Sequence, residues 1–119
     1  MATVTPRLLS GSTNGRGISI TSTTAGSGNV LHTSVTGAGA NTFDEVYAYV
    51  MNLTTVAKLI TINAGGTTSG DKMRLTSPAR TNGLFLVVPG LRYNGGVVVR
   101  AYATAASKVS VHGYVNRSA

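Results

Sequence analysis

The chain has no cysteine and no tryptophan, and only three acidic residues against ten lysines and arginines. Without cysteine there is no disulfide and no thiolate metal site, though the absence fits a reducing compartment as well as an exposed one. The acids are Asp44, Glu45 and Asp71. Asp44 and Glu45 are neighbours, so on a strand they point to opposite faces and cannot flank one bond as a hydrolytic pair must. The two histidines, His32 and His112, each fall in an expected strand with no second ligand at i+2 or i+4, far from the convergent set zinc needs. Both read as strand histidines at a surface or a subunit contact. Serine is abundant, but no Gly-x-Ser-x-Gly elbow occurs. The Gly-rich stretch AGGTTSGD (64–71) fails the phosphate-loop template, because Asp71 stands where a lysine should follow Gly70 and no helix follows. No catalytic, metal-binding or cofactor-binding residue is assigned, and the expectation is a binding protein, not an enzyme. Tyr47, Tyr49, Tyr93, Tyr102 and Tyr114 could form a sugar platform, but without tryptophan they read better as core or subunit-interface anchors.

Long apolar runs are also missing. No stretch approaches the roughly 20 residues a membrane helix requires, and MATVTPRLLSG lacks the apolar centre of a signal peptide. The expectation is a soluble product of the cytoplasm with no membrane partner. The net charge of +7 implies a partner of negative potential. The bases stand singly along the chain and are not interleaved with aromatics, which disfavours nucleic acid and favours an acidic protein surface.

What the chain has is strands. From Phe43 to Asn116, short β-branched runs alternate with Gly, Asn, Pro or Ser: FDEVYAYVM, KLITINA, KMRLTS, GLFLVVPGL, GGVVVRAYA and KVSVHGYVN. With NVLHTSVT before them they amount to about seven or eight strands, an all-β antiparallel sandwich that is jelly-roll-like. In the strand from Phe43, Val46, Ala48 and Val50 share one face and Tyr47, Tyr49 and Met51 the other, the pattern of a central strand covered on both sides. Pro89-Gly90 reads as a turn, Asn94-Gly95-Gly96 as a hairpin turn, and TAAS as the turn of a final hairpin. Gly113 interrupts the last strand and marks a bulge or the close approach of another backbone.

Residues 29–119 are expected to form the sandwich domain. Residues 1–28, rich in Thr, Ser and Gly, read as an extended or flexible N-terminal arm. Its apolar tip VTPRLL and the alternation of ISITST suit an arm lying along a neighbouring subunit.

The quoted strands, with LHTSVTGAGANTFDEVYAYVMNLTT, VVPGL and the terminal VHGYVNR, resemble small virion structural proteins of tailed bacteriophages over residues 30–117. The resemblance implies a capsid decoration (cement) protein located on the virion surface and partnered with the major capsid protein. It supplies no catalytic positions. The physical reading suits this role: a basic β-domain bridging shell subunits acts through buried area alone. On this reading the arm contacts the capsid through Arg7, Leu8, Leu9, Arg16, Ile18 and Ile20. Tyr47, Tyr49 and Tyr114 carry self-association, with a homotrimer expected. The alternatives are a receptor- or glycan-binding module of a phage fibre, recognisable by a concave tyrosine platform, and a tail or connector subunit, recognisable by ring formation.

Overall fold

The structure is a computed structural model and describes residues 3–24, 26–79 and 83–119. The chain forms β1 (Val4–Leu8), β2 (Ile18–Ser19), β3 (Asn29–Thr33), β4 (Phe43–Asn52), β5 (Lys58–Ala64), β6 (Lys72–Ser77), β7 (Phe85–Tyr93), β8 (Val98–Ala103) and β9 (Val109–Ser118). One turn of 3-10 helix, Ser69–Asp71, precedes β6. Among the described residues there is no α-helix. The strands make two antiparallel sheets. Sheet A has the order β1-β9-β4-β7, with β2 also on β9, and sheet B the order β3-β8-β5-β6. The pairing is nested: β5 with β6, β4 with β7, β3 with β8, and β1 and β2 with β9.

The alternation of β4 explains why it lies inside sheet A. Asp44, Val46, Ala48, Val50 and Asn52 are buried, and the residues between them face outward. β9 repeats the pattern with Val109, Val111 and Val115. Sheet B contributes Leu31, Ile60, Ile62, Val99 and Ala101, all fully buried. β-branched residues dominate this core, as expected where stiff side chains pack on a pleated surface. Each fully buried Val or Ile contributes about 1.5–3 kcal/mol.

Gly113 is explained by its neighbour across the ladder. It pairs with Ala48 in an unbroken register from Phe43↔Ser118 to Asn52↔Val109. A Cβ at Gly113 would collide with the Tyr47 carbonyl oxygen. The glycine therefore marks close backbone approach, not a bulge.

The structure corrects three expectations. First, the N-terminal segment is not an arm separate from the sandwich. β1 pairs with Tyr114–Ser118 and β2 with Ser110–Val111, so the two occupy one sheet edge in succession. Leu9 is 2 % exposed and Ile20 is fully buried, both within the core cluster. Two large apolar residues, few as they are, suffice because neighbouring strands supply the rest of the core around them. Pro6 is accommodated because β1 is an edge strand, where the missing N–H costs no ladder bond. Second, Pro89-Gly90 does not end β7. The strand runs on to Tyr93 with register shifts opposite Val46/Tyr47 and Ala48/Tyr49, and Gly90 takes φ 89° there. Third, Asn94-Gly95-Gly96 and the TAAS segment close no hairpins. β7 and β9 belong to sheet A and β8 to sheet B, so both loops cross between sheets. The Gly95 and Gly96 amides donate instead to the Gly37 and Val35 carbonyls.

Candidate binding face

The outward residues of sheet A form cross-strand rows. Leu8 of β1 is opposite Tyr114 of β9, which is opposite Tyr47 of β4, which is opposite Pro89 of β7. The next row holds His112, Tyr49 and Leu86. Leu8 is 59 % exposed, Leu86 42 % and Tyr114 40 %. The expected self-association residues Tyr47, Tyr49 and Tyr114 thus share one solvent-facing surface, and Leu8 extends it to the sheet edge.

The surface is ordered by its own contacts. The Tyr47 and Tyr114 rings stack with centroids 4.9 Å apart and planes 14° from parallel. Tyr47 also lies against Gly90, where a Cβ would come within 2.9 Å of its Oη. The Tyr47 hydroxyl donates to Glu45 Oε1 (2.7 Å), and Arg92 Nε donates to Glu45 Oε2 (3.1 Å). Arg92 in turn lies 4.7 Å above the Phe43 ring, a cation–π contact. Hydrogen bonds from Tyr47 and then Arg92 hold the Glu45 carboxyl below its ordinary value. The same bond to Glu45 pushes the Tyr47 phenol up.

The other residues expected at the capsid divide into two groups. Arg7 and Arg16 are exposed. Arg16 and the half-buried Ile18 line a groove of ≈ 540 Å³ with Leu53, Ser110 and His112. Leu9 and Ile20 are core residues and cannot reach a partner, which corrects their assignment.

His32 also departs from expectation, being 1 % exposed and not at a surface. Its Nε2 donates to Asp44 Oδ2 (2.6 Å), while the Ser10 N–H donates to its Nδ1 (3.0 Å). Those partners fix the tautomer with its proton on Nε2. Arg117 completes the cluster, with Nε 2.7 Å from Asp44 Oδ1 and Nη2 2.9 Å from Oδ2. The Val35 N–H adds a further bond to Oδ2 (3.1 Å). Burial is the largest single influence on the Asp44 carboxyl and raises it. The hydrogen bonds from Arg117 and His32, with the charge of Arg117, together outweigh burial and hold the group below its ordinary value. Arg117 is raised in return by its bond to Asp44. The Ser10 hydroxyl accepts from the Thr33 N–H (2.7 Å). Serine, histidine and aspartate therefore meet without forming a nucleophile–base pair, and the cluster ties Ser10, β3, β4 and β9 together. Sequence reasoning missed it because its members lie far apart in the chain. The one local signal was Asp44 on the face of β4 that carries Val46, Ala48 and Val50.

The outer face of sheet B is polar and basic. Lys72 and Arg74 on β6 and Arg100 and Tyr102 on β8 flank Thr61 and Asn63 on β5. A hydrogen bond with Thr61 lowers the Tyr102 phenol, and contact with Arg74 and Lys72 adds to that. No group of three or more His, Asp or Glu residues that could hold a metal occurs among the described residues.

No protein-family model matches the chain, and no curated protein and no solved structure is significantly similar to it.

Proposed function

We propose that this protein is a structural component of a virion, binding the capsid surface and cementing neighbouring major capsid protein subunits. The observation that carries the reading is the outer face of sheet A. Leu8, Tyr114, Tyr47, Tyr49 and Leu86 form contiguous solvent-facing rows on a rigid sheet. Large aromatic residues held by stacking and hydrogen bonding resemble the anchors of protein interfaces. Three copies are proposed to associate through Tyr47, Tyr49 and Tyr114. Beside that face, the exposed edge strand β1 offers Arg7 and the Leu8 side chain to a capsid segment, while Pro6 limits main-chain pairing along the edge. The net charge of +7 suits an acidic shell. The nested strand pairing supports a jelly-roll winding, which capsid proteins among others use.

Two measurements test the reading. Native mass spectrometry gives a trimer if it is right and a hexameric ring if the chain is a tail or connector subunit. Co-sedimentation with mature phage heads gives saturable binding that Arg7→Glu with Leu8→Asp abolishes. Failure to bind heads of any maturation state would overturn it.

A further inference from the structure

Each sheet has two edges, and three of the four are interrupted or covered. β1 carries Pro6, which cannot donate a ladder bond. β7 carries Pro89 and is bent by two register shifts. β3 is covered by the N-terminal segment: the Gly11 N–H donates to the Leu31 carbonyl, and the Thr33 N–H donates to the Ser10 hydroxyl (2.7 Å). The fourth edge, β6, is different. Lys72–Ser77 contains no proline, and its ladder with β5 is regular from Lys58↔Ser77 to Asn63↔Lys72. Among the described residues no strand pairs with its other side. In an antiparallel ladder every second residue turns its N–H and C=O away from its partner, so β6 presents a row of unpaired main-chain groups.

The side chains narrow what can pair there. Met73 and Leu75 point inward, opposite Ile62 and Ile60, which are both fully buried. Met73 and Leu75 themselves are only half-buried at the edge. Lys72 and Arg74 point outward, about 7 Å apart as alternate residues of a strand must be. Among the described residues no acid forms a salt bridge with either: Asp44 is held by His32 and Arg117, and Glu45 by Arg92. Asp71 accepts from the Thr68 hydroxyl (2.7 Å). An added strand therefore meets cations at its outward positions and incompletely covered apolar groups at its inward ones. A second copy is disfavoured, since β6 against β6 gathers the Lys72 and Arg74 of both chains on one patch, where like charges repel. A nucleic-acid strand could use the two cations but leaves Met73 and Leu75 uncovered. A strand with apolar residues between its acids satisfies both rows.

We propose that the β6 edge takes up an extended segment of a partner protein in which acidic and apolar residues alternate, joining sheet B as its next strand. Main-chain bonds supply the affinity. Acids opposite Lys72 and Arg74, and apolar groups against Met73 and Leu75, set the register. The edge belongs to the sheet opposite the aromatic face, so the proposal stands apart from the capsid-binding reading, and head binding is measured separately.

The test is titration of the isotope-labelled full chain with a peptide of alternating glutamate and valine, matched to the six residues of β6. Two-dimensional amide NMR and hydrogen exchange read the result. Saturable shifts along β6 are expected, with slower exchange of its amides that face away from β5. A peptide of the same composition, with glutamates and valines in separate blocks, should bind about tenfold more weakly. Lys72→Glu with Arg74→Glu should weaken binding of the alternating peptide by about tenfold or more, since two attractive cross-strand pairs become repulsive. The same variant should gain binding to a peptide of alternating lysine and valine, a rescue that damage to the fold would not produce. If the double variant does not fold, Arg74→Glu alone decides, Arg74 being exposed. No saturable shift at β6, or equal binding of the blocked peptide, would overturn the proposal. Tighter binding of oligothymidylate at the same residues would overturn it too, and would make the basic face a nucleic-acid site.

Discussion

Tyr114 stacks on Tyr47 across the β4–β9 ladder, at a cross-strand position where the two strands pair directly. The two rings therefore present one surface, which on the proposed reading meets a second copy. Tyr47→Ala and Tyr114→Ala are each expected to weaken self-association by about tenfold or more, the range of interface anchors. The double variant should lose less than the sum, because removing either ring loosens the other. Sedimentation equilibrium on the three variants measures the coupling. Strict additivity would mean that the rings contact separate partners.

Arg117→Ala leaves the fully buried Asp44 carboxylate without its main cation. Breaking such a pair costs about 3 kcal/mol or more. The Arg117 side chain is 24 % exposed, which keeps the expected loss at that lower end. Urea unfolding monitored by circular dichroism gives the value. Lys at this position cannot reproduce the two-pronged contact and is expected to recover only part of the loss.

The same carboxyl gives stability a defined pH dependence. Its folded value lies below the ordinary 3.8. The unfolded chain therefore binds the proton more readily, and stability rises with pH in this window. The contribution is complete above the ordinary carboxylate value and is lost as pH falls through the depressed one. Urea midpoints should decline on acidification below about pH 4. Glu45, also depressed, acts in the same direction. Asp44→Asn should flatten the acid limb and lower stability at neutral pH.

Leu8 and Leu9 are neighbours with opposite fates. Leu9→Ala opens a cavity in the core and should cost about 2–5 kcal/mol. Leu8→Ala, on the solvent side, should shift stability by no more than about 0.5 kcal/mol while reducing capsid binding. Deleting residues 1–20 removes Leu9, Ile20 and β1 and β2 together. The truncated chain is expected to lose cooperative unfolding by calorimetry, whereas a dispensable arm would leave the transition intact.

Gly113→Ala drives a methyl into the Tyr47 carbonyl at the centre of sheet A. Backbone cannot yield as a flexible side chain can, so the expected cost is about 3 kcal/mol, the upper range for overpacking. Thermal unfolding checks it. A neutral result would mean that β4 and β9 sit farther apart than the ladder implies.

Much of sheet A could be read from alternation. Val46, Ala48 and Val50 on one face and Tyr47, Tyr49 and Met51 on the other foretold the core and the grouping of the tyrosines, but the tyrosine face was expected to be covered and is open to solvent in the single chain. The close approach at Gly113 was also foreshadowed by a glycine among alternating residues. Turn chemistry was less informative. Asn94-Gly95-Gly96 specifies a reversal of the chain, but a reversal can return within a sheet or cross to the opposite one, and local sequence is the same for both. The N-terminal segment was misjudged because its own apolar content is low, whereas burial of Leu9 and Ile20 depends on residues far along the chain.

The nested pairing also sets the order in which contacts can be gained. Only β5 and β6 can meet by closing a short loop. Each further pair encloses the one before, until β1 and β9 bring Thr3 and Ala119 within hydrogen-bonding reach. Because every closure is cheaper once the inner one exists, assembly should propagate outward from the Ala64–Lys72 bend, slowly for a chain of this size, with the β1 edge finished last.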